Sequence, residues 1–183
     1  MVIVFVLAFA NLTTMGPSRS MNLTDQFRLL LTRLKQQSPD GFAAAFQVVF
    51  ATPKYLFQTY DDAWMTYYSK MGIVMKDPAV KWGFSNDGIA SWDELQKFDQ
   101  HGVFDKATEF GLNFWTVMAT SEHGSKSIGA FSRSDRDFTS AEREQIFIDF
   151  QSLHLLTLQG PETEPEFGEM LVDLTIQHTH PSA

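Results

Sequence analysis

The stretch NFWTVMATSEHGSKSIGAFS, Asn113 to Ser132, narrows most sharply what this chain can fold into. Two runs rich in apolar and β-branched residues flank the polar turn SEHG. Runs of this length joined by so short a connection pair side by side in opposite directions. The spacing predicts a hairpin with a four-residue connection, Ser121 to Gly124. A lone hairpin is marginal in water, so further strands or a helical layer must cover it.

The rest of the chain supplies both. Asn22 or Thr24 is placed to cap a helix running to about Gln37, on which Phe27, Leu30, Leu31 and Leu34 form one apolar face. SPDG, Ser38 to Gly41, is a turn. FAAAFQVVF, Phe42 to Phe50, reads two ways: its alanines favour helix, its alternation favours strand. Thr52-Pro53 closes it, and KYLFQ reads as a short partner strand. Asp61 or Asp62 opens a helix to about Met71, with Trp64, Tyr68 and Met71 on one face. Pro78 begins a short helical piece after Asp77. NDG, Asn86 to Gly88, is a turn, and a further helix spans about Val103 to Phe110 before Gly111. Thr139-x-x-Glu142 is a capping box opening a helix that carries Ile146, Phe147, Phe150, Leu153 and Leu155 towards a core. Helix, hairpin, helices, hairpin, helix is the order of an α+β sandwich around an antiparallel sheet. At 183 residues, one domain is expected.

Two segments stand apart. The apolar run Val2 to Ala10 is too short to span a bilayer, and no Lys or Arg precedes it as in a secretory leader. Residues 1–21 therefore read as an N-terminal extension, either a start upstream of the native one or a disordered arm, and not as an export signal. QGPETEPEFGE, Gln159 to Glu169, is rich in Pro and Glu and reads as a loose linker within a tail of residues 159–183.

Composition removes several functions. The chain has no cysteine, which excludes thiolate metal sites, disulfides and a Cys nucleophile and suits the cytoplasm. A net charge of −8 with scattered basic residues argues against direct nucleic-acid binding. No nucleophile elbow or phosphate-binding glycine loop is present. His101, His123 and His154 are far apart, and His178-x-His180 has no well-spaced carboxylate beyond Asp173, so no metal site is expected. The 17 phenylalanines can fill a large core or line an apolar cavity.

Tyr60 to Val80 holds groups suited to one neutral polar ligand. An indole N–H only donates, a phenol donates or accepts, and an ionised carboxylate only accepts. A ligand offering carbonyl, amide N–H and carbonyl, followed by an apolar tail, would match them. The bland alternatives are that Trp64, Tyr68 and Met71 are core, that Asp77 merely starts a turn before Pro78, and that Tyr60 packs its ring.

TYDDAWMTYY, KDPAV, ASWDEL and KATEFGLNF, taken in order, resemble the autoinducer-binding domain of LuxR-type quorum-sensing regulators. The likeness runs from about Asn22 to Leu158, so the domain is placed at residues 22–158. It implies an α-β-α sandwich around a five-stranded antiparallel sheet, holding a buried N-acyl-homoserine lactone. It also implies roles: Trp64 donating to the lactone carbonyl, Asp77 accepting the amide N–H, Tyr60 bonding the acyl carbonyl, and Tyr68 and Trp92 walling the ring and chain head. The family is not catalytic, and no cofactor is expected.

Three positions depart from the family pattern. Trp115 stands where the family has a glycine, Met118 where it often has proline, and Ala130 where a Ser or Thr often helps with the acyl carbonyl. Pointing inward, Trp115 joins the ligand-binding set and shrinks the cavity; pointing outward, it changes nothing. The tail after Leu158 has no basic recognition helix, so a sensor domain without its own DNA-binding domain is expected. Such a domain would act on transcription through partners, as a homodimer or as a heterodimer with a full-length LuxR-type regulator, without membrane contact. The alternative is a partner that pairs with and inhibits full-length regulators without binding any ligand.

Overall fold

The computed structural model describes residues 21–179, with side chains described as far as Thr175. The expectations for residues 1–20 and for His178 and His180 lie outside what is described. The element order is α1 (Leu23–Gln37), β1 (Phe42–Val49), β2 (Thr52–Gln58), α2 (Asp62–Lys70), a 3₁₀ turn (Ile73–Met75), α3 (Pro78–Ser85), β3 (Gly88–Ser91), α4 (Trp92–Gln96), α5 (Val103–Thr108), β4 (Phe114–Glu122), β5 (Ser125–Arg133), α6 (Ser140–Thr163) and α7 (Pro165–Thr179). The strands form one five-stranded sheet in the order β2-β1-β5-β4-β3, every neighbouring pair antiparallel. The expected sandwich is therefore present.

Strand periodicity of two gives the sheet two different faces. Phe42, Ala44 and Phe46 of β1 pack with Phe27 and Leu34 of α1, Ile146, Phe150 and Leu153 of α6, and Phe167 and Leu171 of α7. The intervening Ala43 faces the second core, with Trp64, Ala79, Phe104, Ala107, Trp115 and Val117. This resolves the double reading of FAAAFQVVF: Phe42–Val49 is a strand, with Phe42 and Phe46 on the face towards α1, α6 and α7, while Phe50 lies in the turn beyond it, 98% exposed. The register slips between Ala45 and Val48 where β1 pairs with β5, and Gln47 adopts a positive φ of 54° there. That is a β-bulge, which bends the strand and re-aims its side chains.

The β4–β5 hairpin is tighter than predicted. Ser121 and Glu122 pair with Lys126 and Ser125, leaving only His123 and Gly124 in the turn, at φ 51° and 77°. Positive φ at both central residues is the two-residue geometry that follows the natural twist of the strands. Besides the 3₁₀ turn and α7, two elements were not foreseen. The edge strand β3 follows the NDG turn, and α4 starts with a capping box between Ser91 and Glu94. The S-x-x-E spacing was a legible signal for α4.

The C-terminal segment corrects the linker reading. α6 continues through Pro161, and α7 follows after Glu164. Phe167 and Leu171, spaced i and i+4, are buried, and the Phe167 ring meets Phe27 edge-on at 5.9 Å. Gly160 allows this approach, because a Cβ there would lie 2.5 Å from the Phe167 ring. The Pro/Glu composition hid two apolar residues that complete the core. No helix of the described residues is long and apolar enough to cross a membrane.

Candidate functional site

The site is assembled where α2, the 3₁₀ turn and α3 lie over the alanine-bearing face of β1 and β5. Asp61 caps α2, its carboxylate accepting from the Ala63 N–H at 2.8 Å. The helix then places Trp64 and Tyr68 four residues apart on one face, with ring centroids 5.4 Å apart. Met71 does not share that face as expected. The helix ends at Lys70, and Met71 is its C-cap, 54% exposed. Gly72, in the left-handed region at φ 58°, turns the chain into Ile73–Met75 and delivers Asp77 to the start of α3.

Asp77 is buried, with 3% of its surface exposed. Its Oδ1 accepts from the Ala79 N–H at 2.8 Å, capping α3, with Pro78 in the first turn where its missing N–H costs nothing. Its Oδ2 accepts from the Tyr68 hydroxyl at 2.8 Å. Burial raises the Asp77 pKa above the ordinary carboxylate value, while the bonds from Tyr68 and from the α3 backbone oppose that rise. Burial and then the Asp77 charge push the Tyr68 hydroxyl far up, so it remains a donor. The turn-starter role foreseen for Asp77 is real, since it caps α3, and the cap is also what holds the carboxylate inside.

Tyr60 is buried, and its hydroxyl donates to the Ala130 carbonyl at 3.0 Å. Burial, followed by the Asp77 charge, raises its pKa as well. Trp115 points inward, 2% exposed, and its indole N–H donates to the Leu112 carbonyl at 3.1 Å. It stacks on Tyr60 with centroids 5.9 Å apart and meets Trp64 edge-on at 6.4 Å. Four of the expected groups, Tyr60, Trp64, Tyr68 and Asp77, together with Trp115, line one cavity of about 360 Å³. Trp92 does not line it. Its ring stacks on Phe104 at 4.5 Å and reaches only the Trp115 ring, at 6.3 Å. Trp115 lines the cavity on the side nearest Trp92.

The volume lies in the range of small-molecule sites, and the lining is almost wholly apolar. Among the described residues, Asp77 is the only charged side chain lining it. No described group accepts the Trp64 indole N–H. Lining residues not foreseen are Ala43, Ala45 and Val48 on β1, Ile128 on β5, and Met75 and Phe84 over them. The small residues between phenylalanines in FAAAF were the available signal for a cavity floor. Among the described residues, no group of three or more His, Cys, Asp or Glu is placed to hold a metal ion.

The chain is thus an α-β-α sandwich with a buried carboxylate in the wall of an otherwise apolar cavity, an arrangement suited to a small-molecule ligand. The chain belongs to the autoinducer binding domain family, whose model matches residues 24–159. It is thus a signal-binding, non-enzymatic domain of LuxR-type quorum-sensing regulators. Similar solved structures include Escherichia coli SdiA, with a TM-score of 0.56 and 19% identity over 80% of this chain and 64% of that one. SdiA in complex with octanoyl-rac-glycerol matches with a TM-score of 0.56 and 17% identity, over 84% of this chain and 64% of that one. CepR2 of Burkholderia cenocepacia, an N-acylhomoserine lactone-dependent LuxR family factor, matches with a TM-score of 0.53 and 16% identity, over 74% of this chain and 82% of that one. At these identities the likeness is one of fold. The chain spans under two thirds of the SdiA chains it matches. No curated protein matches the sequence.

Proposed function

We propose that this domain senses an N-acyl-homoserine lactone, or a closely similar neutral amphipathic signal, and acts on transcription through protein partners. The observation that carries the reading is Asp77: a buried carboxylate with lone pairs to spare, facing an otherwise apolar cavity. Burying such a group is costly unless it is hydrogen-bonded. A ligand amide N–H would add a further donor to it. Trp64 would donate its unshared indole N–H to the lactone carbonyl. Tyr60 would turn its hydroxyl from the Ala130 carbonyl to the acyl carbonyl of the ligand. Tyr68 and Trp115 would wall the head group, and Trp92 would brace Trp115 from behind.

Thermal melting against a panel of lactones tests this. A ligand at 100 times its Kd stabilises the fold by about 2.7 kcal/mol. The absence of any shift across the panel would reject the reading. The partner is a second copy or a full-length LuxR-type regulator in the cytoplasm, checked by co-purification with and without ligand. Ligand-independent pairing is the less favoured alternative, because Trp115 narrows the head end without closing the cavity.

A further inference from the structure

The cavity is not equally buried along its length. At one end Tyr60, Trp64, Asp77 and Trp115 are all shielded from solvent. At the other, Phe84, at the opposite end of α3 from Asp77, lines the same space while being 43% exposed. Ala51, at the tip of the β1–β2 hairpin, also lines it and is exposed. The floor between the two ends is β1, where Ala43, Ala45 and Val48 follow one another along the strand. The bulge between Ala45 and Val48 bends the strand near the open end. The cavity is therefore a channel running from a polar, closed head along β1 to an apolar mouth.

We infer that this channel selects long-chain acyl ligands and sets no upper limit on chain length, the end of the chain emerging between the β1–β2 hairpin tip and Phe84. The inference rests on the proposed binding of an acylated signal with its head at Asp77. At about 3.3 Å per residue, Ala43 to Val48 spans roughly 16 Å, the reach of about a dozen methylenes. Up to that length each added methylene leaves water for an apolar wall and raises affinity about fourfold. Beyond it, further methylenes pass the exposed Ala51 and Phe84 into solvent and meet nothing. A closed pocket behaves differently, because a chain one or two methylenes too long must distort a packed wall.

The test uses the whole chain and homoserine lactones acylated with 4, 8, 12 and 16 carbons, with affinity read by calorimetry. Affinity is expected to climb steeply to about 12 carbons and then to level off. A lactone carrying an environment-sensitive fluorophore at the far end of a 12-carbon chain should still bind and should stay open to a water-soluble quencher. Ala45→Phe, which puts a ring across the floor, should cut the ratio of 12-carbon to 4-carbon affinity at least tenfold, with melting used to show that it folds. An optimum at 4 or 8 carbons followed by a sharp fall overturns the inference while leaving the proposed function intact. A bound fluorophore shielded from quencher overturns it equally. Failure of every chain length to bind rejects the proposed function itself, and the inference with it.

Discussion

Replacing Asp77 by asparagine separates the two tasks of one side chain. In the folded protein Oδ1 caps α3 through the Ala79 N–H, and Oδ2 accepts from Tyr68. Asparagine keeps an oxygen for the cap. Its amide nitrogen replaces the oxygen facing Tyr68, whose hydroxyl can rotate to accept. The fold therefore loses little. It also sheds a buried charge, whose pKa is raised from 3.8 chiefly by burial. The sign follows from that rise. Between 3.8 and the raised value, the native state holds a proton that the unfolded chain has released, so stability falls as pH rises through this window. The wild type should show that fall, and D77N should not. At neutral pH the apo variant should melt at or above the wild-type temperature.

Binding should move the other way. A ligand N–H meets an amide N–H where it had met a carboxylate oxygen, and a hydrogen bond to a charged group is worth about 1.5–3 kcal/mol. The expected loss is about tenfold to 150-fold in Kd for a lactone, measured by calorimetry beside an apo melt. Wild-type affinity in D77N would refute the role of the carboxylate. An apo variant that fails to fold would refute the claim that the oxygen of the cap suffices.

Four further outcomes follow from the packing. Trp115→Ala removes a buried ring held by Tyr60, Trp64 and Phe104 and should cost about 3–5 kcal/mol in urea unfolding. A loss under about 1 kcal/mol would mean that the ring is not packed as described. Leu171→Ala should cost about 2–5 kcal/mol, because α7 closes the core beside Phe27 and Phe167; a neutral result would return the segment to linker status. His154 is buried on α6, its Nδ1 2.8 Å from the Ser127 hydroxyl, and burial lowers its pKa from 6.5. The unfolded chain then takes up a proton before the native state does, so stability should fall as pH drops below 6.5, and His154→Gln should flatten the melting profile there. Gly160→Ala would drive a Cβ into the Phe167 ring and should lower the melting temperature; Gly124→Ala meets no neighbouring atom but is strained by its φ of 77° and should cost about 1–2 kcal/mol for that reason alone.

The sequence by itself determined whatever is written in near neighbours. Asn22, Asp61, Asp77 and Thr139 stand as caps because a short polar side chain can reach its own next two or three backbone N–H groups. Trp64 and Tyr68 share a helix face by spacing alone, and the β4–β5 pairing follows from two apolar runs around one turn. The tertiary structure decided what depends on distant partners. Trp115 turns inward because β4 register puts it on the face with Tyr60 and Trp64, and a one-residue slip would have sent it to the other side. Trp92 lies outside the cavity lining, beside that same ring, which is far from it in sequence. Residues 159–169 look like a linker until Phe27 and Gly160 supply the slot for Phe167. The cavity itself is lined jointly by β1, β5, α2, α3 and the 3₁₀ turn, elements far apart in the chain. Local spacing encodes direction within an element, while a cavity is the space that separate elements leave between them, and its shape exists only once they pack.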